Sequence, residues 1–220
     1  MSITAVVALT ATLATAGQSP PLRYTRWEKE VRAIERRLDV NPPKRGGIAF
    51  AGSSSIRLWD LAESFPNSAV SNVGFGGSEI RDCTFFVNRL ALRFEPSAIV
   101  FYAGDNDIAS GRTAKQVADD FTAFTATVHE KLPNCQIVFI AVKPSPKRWT
   151  QFAVQKDAND RVRKMCEVDP RLAYANVVTP MLGGVGKPLP ELFVKDQLHL
   201  SEKGYVIWAK VLRETLPALR

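Results

Sequence analysis

Four short segments, far apart in the chain, carry the side chains able to do acyl-transfer chemistry. The first is Gly52-Ser53-Ser54-Ser55, directly after the small and apolar run Ile48-Ala49-Phe50-Ala51. Glycine permits a sharp turn, and three hydroxyls then stand where a helix would begin. A serine at such a strand-to-helix turn projects its oxygen beside unpaired helix N–H groups, a position suited to a nucleophile. Serine is also a preferred N-cap, so this stretch alone leaves both roles open. The second segment is Gly74-Phe75-Gly76-Gly77-Ser78-Glu79, whose glycines let backbone N–H groups approach a ligand closely. It is not a dinucleotide fingerprint, because Glu79 stands where the last glycine is required. The third, Gly104-Asp105-Asn106-Asp107, offers the Asn106 amide as a donor, an Asx-type turn, or ligands for a hard cation. No twelve-residue calcium-loop pattern follows it, which disfavours the metal. The fourth is Asp196-Gln197-Leu198-His199. In a turn, Asp196 would accept a hydrogen bond from Nδ1 of His199 and leave Nε2 as a base, the orientation a serine triad requires. The other of the two histidines, His129, stands beside Glu130 and Lys131 in a helical pattern and reads as a surface residue.

These segments need elements to hold them. Trp27, Val31, Ile34 and Leu38 recur at helical spacing, so residues 24–38 are expected to form an amphipathic helix, ended by Asn41-Pro42-Pro43. Beyond it, apolar runs at 48–51, 70–73, 99–103, 136–142 and 172–177 read as strands, and 79–94, 113–132, 151–167 and 201–216 read as helices. Five strands alternating with helices predict an α/β fold, a three-layer α/β/α sandwich around a central, mostly parallel five-stranded sheet of flavodoxin-like type. The near-continuous apolar runs 99–103 and 136–142 belong at its centre. Ligands of such sheets bind beyond the carboxyl ends of the strands, where all four segments lie.

Composition sets the limits. A chain of 220 residues, 45% apolar and 23% charged, can bury a substantial single core. Much of the net charge of +7 comes from Arg23, Arg26, Lys29, Arg32, Arg36, Arg37, Lys44 and Arg45, interleaved with Glu28, Glu30 and Glu35, which reads as a solvated helix face. No zinc-finger spacing, aromatic RNA-binding motif or basic zipper accompanies it, so no nucleic-acid partner is expected. Cys83, Cys135 and Cys166 form neither a CxxC pair nor a zinc pattern and read as buried free thiols. Residues 2–16 carry no charge and end in Ala14-Thr15-Ala16, a small-x-small site. They are expected to form a signal peptide cut after Ala16, too short to span a bilayer, with an N-terminal arm as the alternative. The mature chain would then be secreted or periplasmic with no integral membrane segment. Residues 17–45 would be a linker and helix, and 46–220 the functional domain.

In order and approximate spacing, the four segments resemble the four blocks of the SGNH hydrolases, also called the GDSL esterase and lipase family, over about residues 46 to 210. Gly-Ser-Ser-Ser-Ile-Arg-Leu-Trp and Lys-Pro-Ser-Pro-x-Arg-Trp look like one subgroup. The resemblance implies Ser54 as nucleophile, His199 as general base and Asp196 as its orienter. It implies an oxyanion hole made of the Ser54 N–H, the Gly77 N–H and the Asn106 amide, and neither metal nor cofactor. Ser53 stands where the family usually has an aspartate, so that supporting charge is missing. The implied reaction is hydrolysis of a carboxylic ester with a short acyl group such as acetyl, on a small-molecule, carbohydrate or lipid substrate. An acyltransferase, lysophospholipase or thioesterase would use the same residues. A non-catalytic phosphate- or cofactor-binding flavodoxin-like module would have no need of Asp196 and His199. Arg57, Trp59, Lys147, Arg148 and Trp149 are expected either to line the cleft or to pack.

Overall fold

Burial on both faces decides the strand arrangement. In the computed structural model, which describes residues 22–220, β1 (Ile48–Gly52) and β3 (Ala98–Tyr102) are buried at every position. The proposed signal segment lies outside the described residues. Around these strands the chain runs α1 (Leu22–Thr25), α2 (Glu28–Val40), β1, α3 (Ser54–Arg57), α4 (Leu61–Ser64), β2 (Val70–Asn72), α5 (Ile80–Leu90) and β3. It continues through α6 (Asp105–Ala109), α7 (Ala114–Lys131), β4 (Gln136–Ile140), α8 (Phe152–Val168), β5 (Leu172–Ala175), α9 (Val178–Met181) and α10 (Glu202–Thr215). The sheet order is β2-β1-β3-β4-β5 with every pair parallel, so the sheet is wholly rather than mostly parallel. Chain direction across the sheet reverses between β1 and β3, the switch point where such sheets open a crevice.

Alternate residues of each strand feed two separate cores. Ala51, Phe101 and Phe139 face α2, α5, α7 and α8, while Phe50, Tyr102 and Ile140 face α10 and the short helices around Trp59. The apolar run after β4 leaves the ladder at Ile140 but stays buried to Val142. The Asn159 side chain replaces a strand there, accepting from the Val142 N–H at 2.7 Å and donating to its carbonyl at 2.9 Å. The helical pattern over 79–94 is likewise interrupted, with α5 ending at Leu90 and a separate 3-10 turn at Leu92–Phe94.

The amphipathic helix packs on the sheet domain. Val31, Ile34 and Leu38 of α2 are buried, and Arg89 of α5 bridges Glu28 and Glu35 across the interface. Most of the basic residues of this region are exposed, as expected of a solvated face, and several carry ion pairs. Arg23 pairs with Glu79 and Asp82, Arg32 with Glu28 and Arg45 with Glu95, because acidic partners lie on its own helix and on neighbouring segments. His129 is half-buried rather than a surface residue, its Nε2 lying 3.0 Å from the Cys135 carbonyl where α7 hands over to β4. All three cysteines are free; Cys83 and Cys135 are buried and Cys166 half-buried. Among the described residues no helix is long and apolar enough to cross a membrane.

Candidate active site

Ser54 is placed by a close approach of two strands. Gly52 pairs with Tyr102 at φ +139°, and a Cβ there would lie 1.9 Å from the Tyr102 carbonyl oxygen. Only glycine fits. The Ser53 N–H then donates to the same carbonyl at 2.9 Å, and the Ser53 carbonyl accepts from the Ile56 and Arg57 N–H groups to close a single helical turn. Ser54 is the first residue of that turn, so its N–H has no partner within the helix. Ser53 and Ser55 are buried, whereas Ser54 is half-buried and faces outward. The Ser55 carbonyl is occupied by the Tyr205 hydroxyl at 2.9 Å, which leaves Ser55 to the helix.

Asp196 and His199 meet Ser54 from the far end of the chain. Val194 and His199 are tied by a backbone bond at 2.9 Å, and Gln197 takes φ +58° to make the turn between them. A left-handed residue other than glycine costs about 1–2 kcal/mol. The turn brings three donors onto one carboxylate: Asp196 Oδ1 accepts from the Leu198 and His199 N–H groups at 2.9 Å each, and Oδ2 lies 2.6 Å from His199 Nδ1. An ionised carboxylate only accepts, so the network assigns the ring proton to Nδ1. Nε2 is then free to accept from the Ser54 hydroxyl, 3.0 Å away. Partial burial opposes ionisation of Asp196, but the bonds from His199 and Leu198 outweigh it and hold the carboxyl at about 2.

The second and third segments are bound to the first. The Phe75 N–H and the Ser78 hydroxyl both donate to the Gly52 carbonyl, at 3.0 and 3.3 Å. Asp107 accepts from the Gly104 and Ile80 N–H groups at 3.0 and 3.1 Å, joining α6 to the start of α5. Asn106 then spans the gap: its Nδ2 donates to the Ser78 carbonyl at 3.1 Å, and its Oδ1 accepts from both terminal nitrogens of Arg148 at 3.2 Å. A carbonyl cannot donate and a guanidinium cannot accept, so the amide has one allowed orientation, with a second Nδ2 hydrogen to spare. Gly77 is exposed at φ +71° with open space where a Cβ would be. Glycine serves there for its backbone angle, not for room. Among the described residues its N–H has no hydrogen-bond partner.

Behind Asn106 lies a buried charge cluster. Asp105 accepts from Arg148 at 2.9 Å, Gln155 at 3.1 Å and Lys143 at 3.4 Å, and Lys143 also donates to the Tyr102 hydroxyl at 3.2 Å. Burial works against a charged Lys143, but Tyr102 and Asp105 outweigh it and its pKa is raised. Two cations on one carboxylate leave a net positive charge one residue from Asn106.

Residues 49–207 match the GDSL-like Lipase/Acylhydrolase family. The chain belongs to that family. The GDSL-type fold is shared with a candidate platelet activating factor of Streptococcus pneumoniae, at a TM-score of 0.76 and 19% identity over 87% of this chain and 94% of that one. A GDSL-like lipase of Bacteroides thetaiotaomicron aligns at 0.68 and 19% over 87% and 95%. The C-terminal catalytic domain of Streptococcus pneumoniae peptidoglycan O-acetyltransferase A, solved with a methylsulfonyl adduct, aligns at 0.57 and 15% over 80% and 95%. No curated protein matches the chain. Family membership supports activity of the hydrolase or esterase type.

Around this GDSL-like site, the residues expected along a cleft wall divide. Trp59 belongs to the core: it is 4% exposed, stacks on Tyr205 and donates to the Ser64 hydroxyl. Trp149 stacks on Phe152. Arg148 is committed to Asn106 and Asp105. Lys143 opens the segment 143–149 that the sequence places after the fourth strand, but its burial behind Asn106 is not legible there, beyond the signal that it directly follows the apolar run 137–142.

Proposed function

We propose that the protein is a serine esterase that hydrolyses a carboxylic ester through an acyl-enzyme. The observation that carries this reading is the unbroken chain Ser54–His199–Asp196, with bonds of 3.0 and 2.6 Å and the ring proton on Nδ1. His199 takes the Ser54 proton as the serine oxygen attacks the ester carbonyl. The Ser54 N–H, the Gly77 N–H and the spare Asn106 N–H stabilise the oxyanion. Asp196, ionised throughout, steadies the imidazolium. His199 then gives the proton to the leaving alcohol, and water repeats the sequence to release the acid. Ser53 adds no charge beside the nucleophile, and Arg148 serves the site by holding the Asn106 amide in its donating orientation.

A short acyl group suits the site because the segment preceding Asp196 is a tight hairpin, closed by the Leu182–Pro188 bridge, rather than a helical cover. Acyl transfer to an alcohol uses the same acyl-enzyme, and the O-acetyltransferase domain among the structural neighbours makes it the second reading. The test is hydrolysis of short p-nitrophenyl esters with and without an added alcohol. Wild-type protein should turn over and Ser54→Ala should not. Undiminished turnover by Ser54→Ala would end the proposal, and product partitioning to the alcohol would favour the transferase.

A further inference from the structure

The Gly77 N–H belongs to a peptide unit flanked by two glycines, Gly76 and Gly77. Glycine populates both signs of φ with little preference, so this unit is the least self-fixed in the loop. A trans peptide is planar with its C=O and N–H on opposite sides, so whatever holds the Gly76 carbonyl also aims the Gly77 N–H. Trp27 holds it: the indole Nε1–H donates to the Gly76 carbonyl at 2.8 Å. Glu30, one turn further on, accepts from the Gly76 N–H at 3.1 Å, fixing the preceding peptide as well.

Both anchors are themselves braced. Trp27 is 5% exposed, with the Arg26 guanidinium 3.5 Å from its ring centroid and Phe75 meeting it edge-on. Glu30 faces Arg57 at 3.6 Å, the last residue of the turn that begins at Ser54. Trp27 and Glu30 both precede residue 49, outside the region matched to the family. Resting on the serine-esterase reading, we propose that Trp27 and Glu30 are positioning residues by which the N-terminal segment clamps Gly76 and aims the Gly77 N–H at the oxyanion.

The experiment compares Trp27→Phe, Glu30→Ala and Glu30→Gln with Val31→Ala, which thins the buried face of α2 without a hydrogen bond to the loop. Each is assayed for kcat and KM on p-nitrophenyl acetate, for inhibition by a phenylboronic acid as a tetrahedral-anion mimic, and for thermal unfolding. Trp27→Phe and Glu30→Ala should lower kcat roughly tenfold, a fraction of the hundred- to thousand-fold cost of losing an oxyanion donor outright. They should weaken the boronate by a similar factor while KM moves less than about twofold. Glu30→Gln keeps the acceptor and should restore kcat, and Val31→Ala should lower only the melting temperature. Wild-type kcat and boronate affinity in folded Trp27→Phe and Glu30→Ala would overturn the proposal, as would an equal kcat loss in Val31→Ala. Should Trp27→Phe fail to fold, the contrast between Glu30→Ala and Glu30→Gln decides. Ser54→Ala in the same assay tests the esterase reading separately, because its activity does not depend on how Gly76 is held.

Discussion

Arg148 should act only through Asn106, and a double-mutant cycle measures that. Removing the amide in Asn106→Ala deletes one oxyanion donor and should cost on the order of a hundred- to thousand-fold in kcat, about 3–4 kcal/mol. Arg148→Met leaves the donor but frees its Oδ1, now held by two guanidinium bonds at 3.2 Å. Charge-assisted bonds of this kind contribute about 1.5–3 kcal/mol each, and the neutral bond from Nδ2 to Ser78, about 1 kcal/mol, survives to oppose rotation. The amide therefore keeps its productive orientation part of the time. The expected loss is about 1–2 kcal/mol of transition-state stabilisation, or roughly five- to thirtyfold in kcat, with KM little changed. Once the amide is gone Arg148 has nothing to orient, so the double variant should be no slower than Asn106→Ala. Steady-state kinetics of the four proteins on a short p-nitrophenyl ester gives the coupling directly, with melting curves to confirm that each is folded. Additive losses would refute the reasoning, because Arg148 would then be touching substrate or acting elsewhere.

Three further outcomes follow from the geometry. Asp196 is held at about 2, below its ordinary 3.8, so it stays ionised and keeps its bonds until pH falls through about 2. The acid limb of kcat/KM should therefore show a single proton, with a slope of one; a slope of two above pH 3 would mean that Asp196 itself takes up a proton there. Gly52→Ala, with its Cβ 1.9 Å from the Tyr102 carbonyl, should give no soluble folded protein, whereas Gly77→Ala meets open space and should cost only about 1–2 kcal/mol, lowering the melting temperature by several degrees. Asp107→Ala strands two buried N–H donors, those of Gly104 and Ile80, and should destabilise the fold by about 2–5 kcal/mol in denaturant titrations.

The alternation of apolar strands and amphipathic helices was legible because most core elements are long enough to show a period. Residues 99–103 and 136–142 read as central strands from their unbroken apolar runs, and α7 carries its own start signal in Thr113 and Gln116, which form a capping box. The one-turn helices α3, α4, α6 and α9 are too short to have a period, and neighbouring elements hold them instead: α3 lies against β1, α4 against β2 and α10, α6 against α7 and α8, and α9 against α10. The site segments stood out because they follow strand ends and carry rare residues, among them His199, one of two histidines in the whole chain. Their supports did not. Trp27 precedes α2 and continues its apolar stripe, and spacing describes only its buried body, while the indole N–H reaches Gly76 in another segment 49 residues away. Arg148 reaches Asn106 across 42 residues. Such contacts exist only after the sheet has assembled, and a one-dimensional pattern holds no record of them.

The identity of the nucleophile is decided by a fluorophosphonate probe and fragmentation mass spectrometry of the tryptic peptide 46–57, which contains Ser53, Ser54 and Ser55 together. A stoichiometric adduct on Ser54, slowed by orders of magnitude in His199→Ala, is the expected result. An adduct on Ser53 or Ser55, or a Ser54 that stays unlabelled in folded protein, would contradict it.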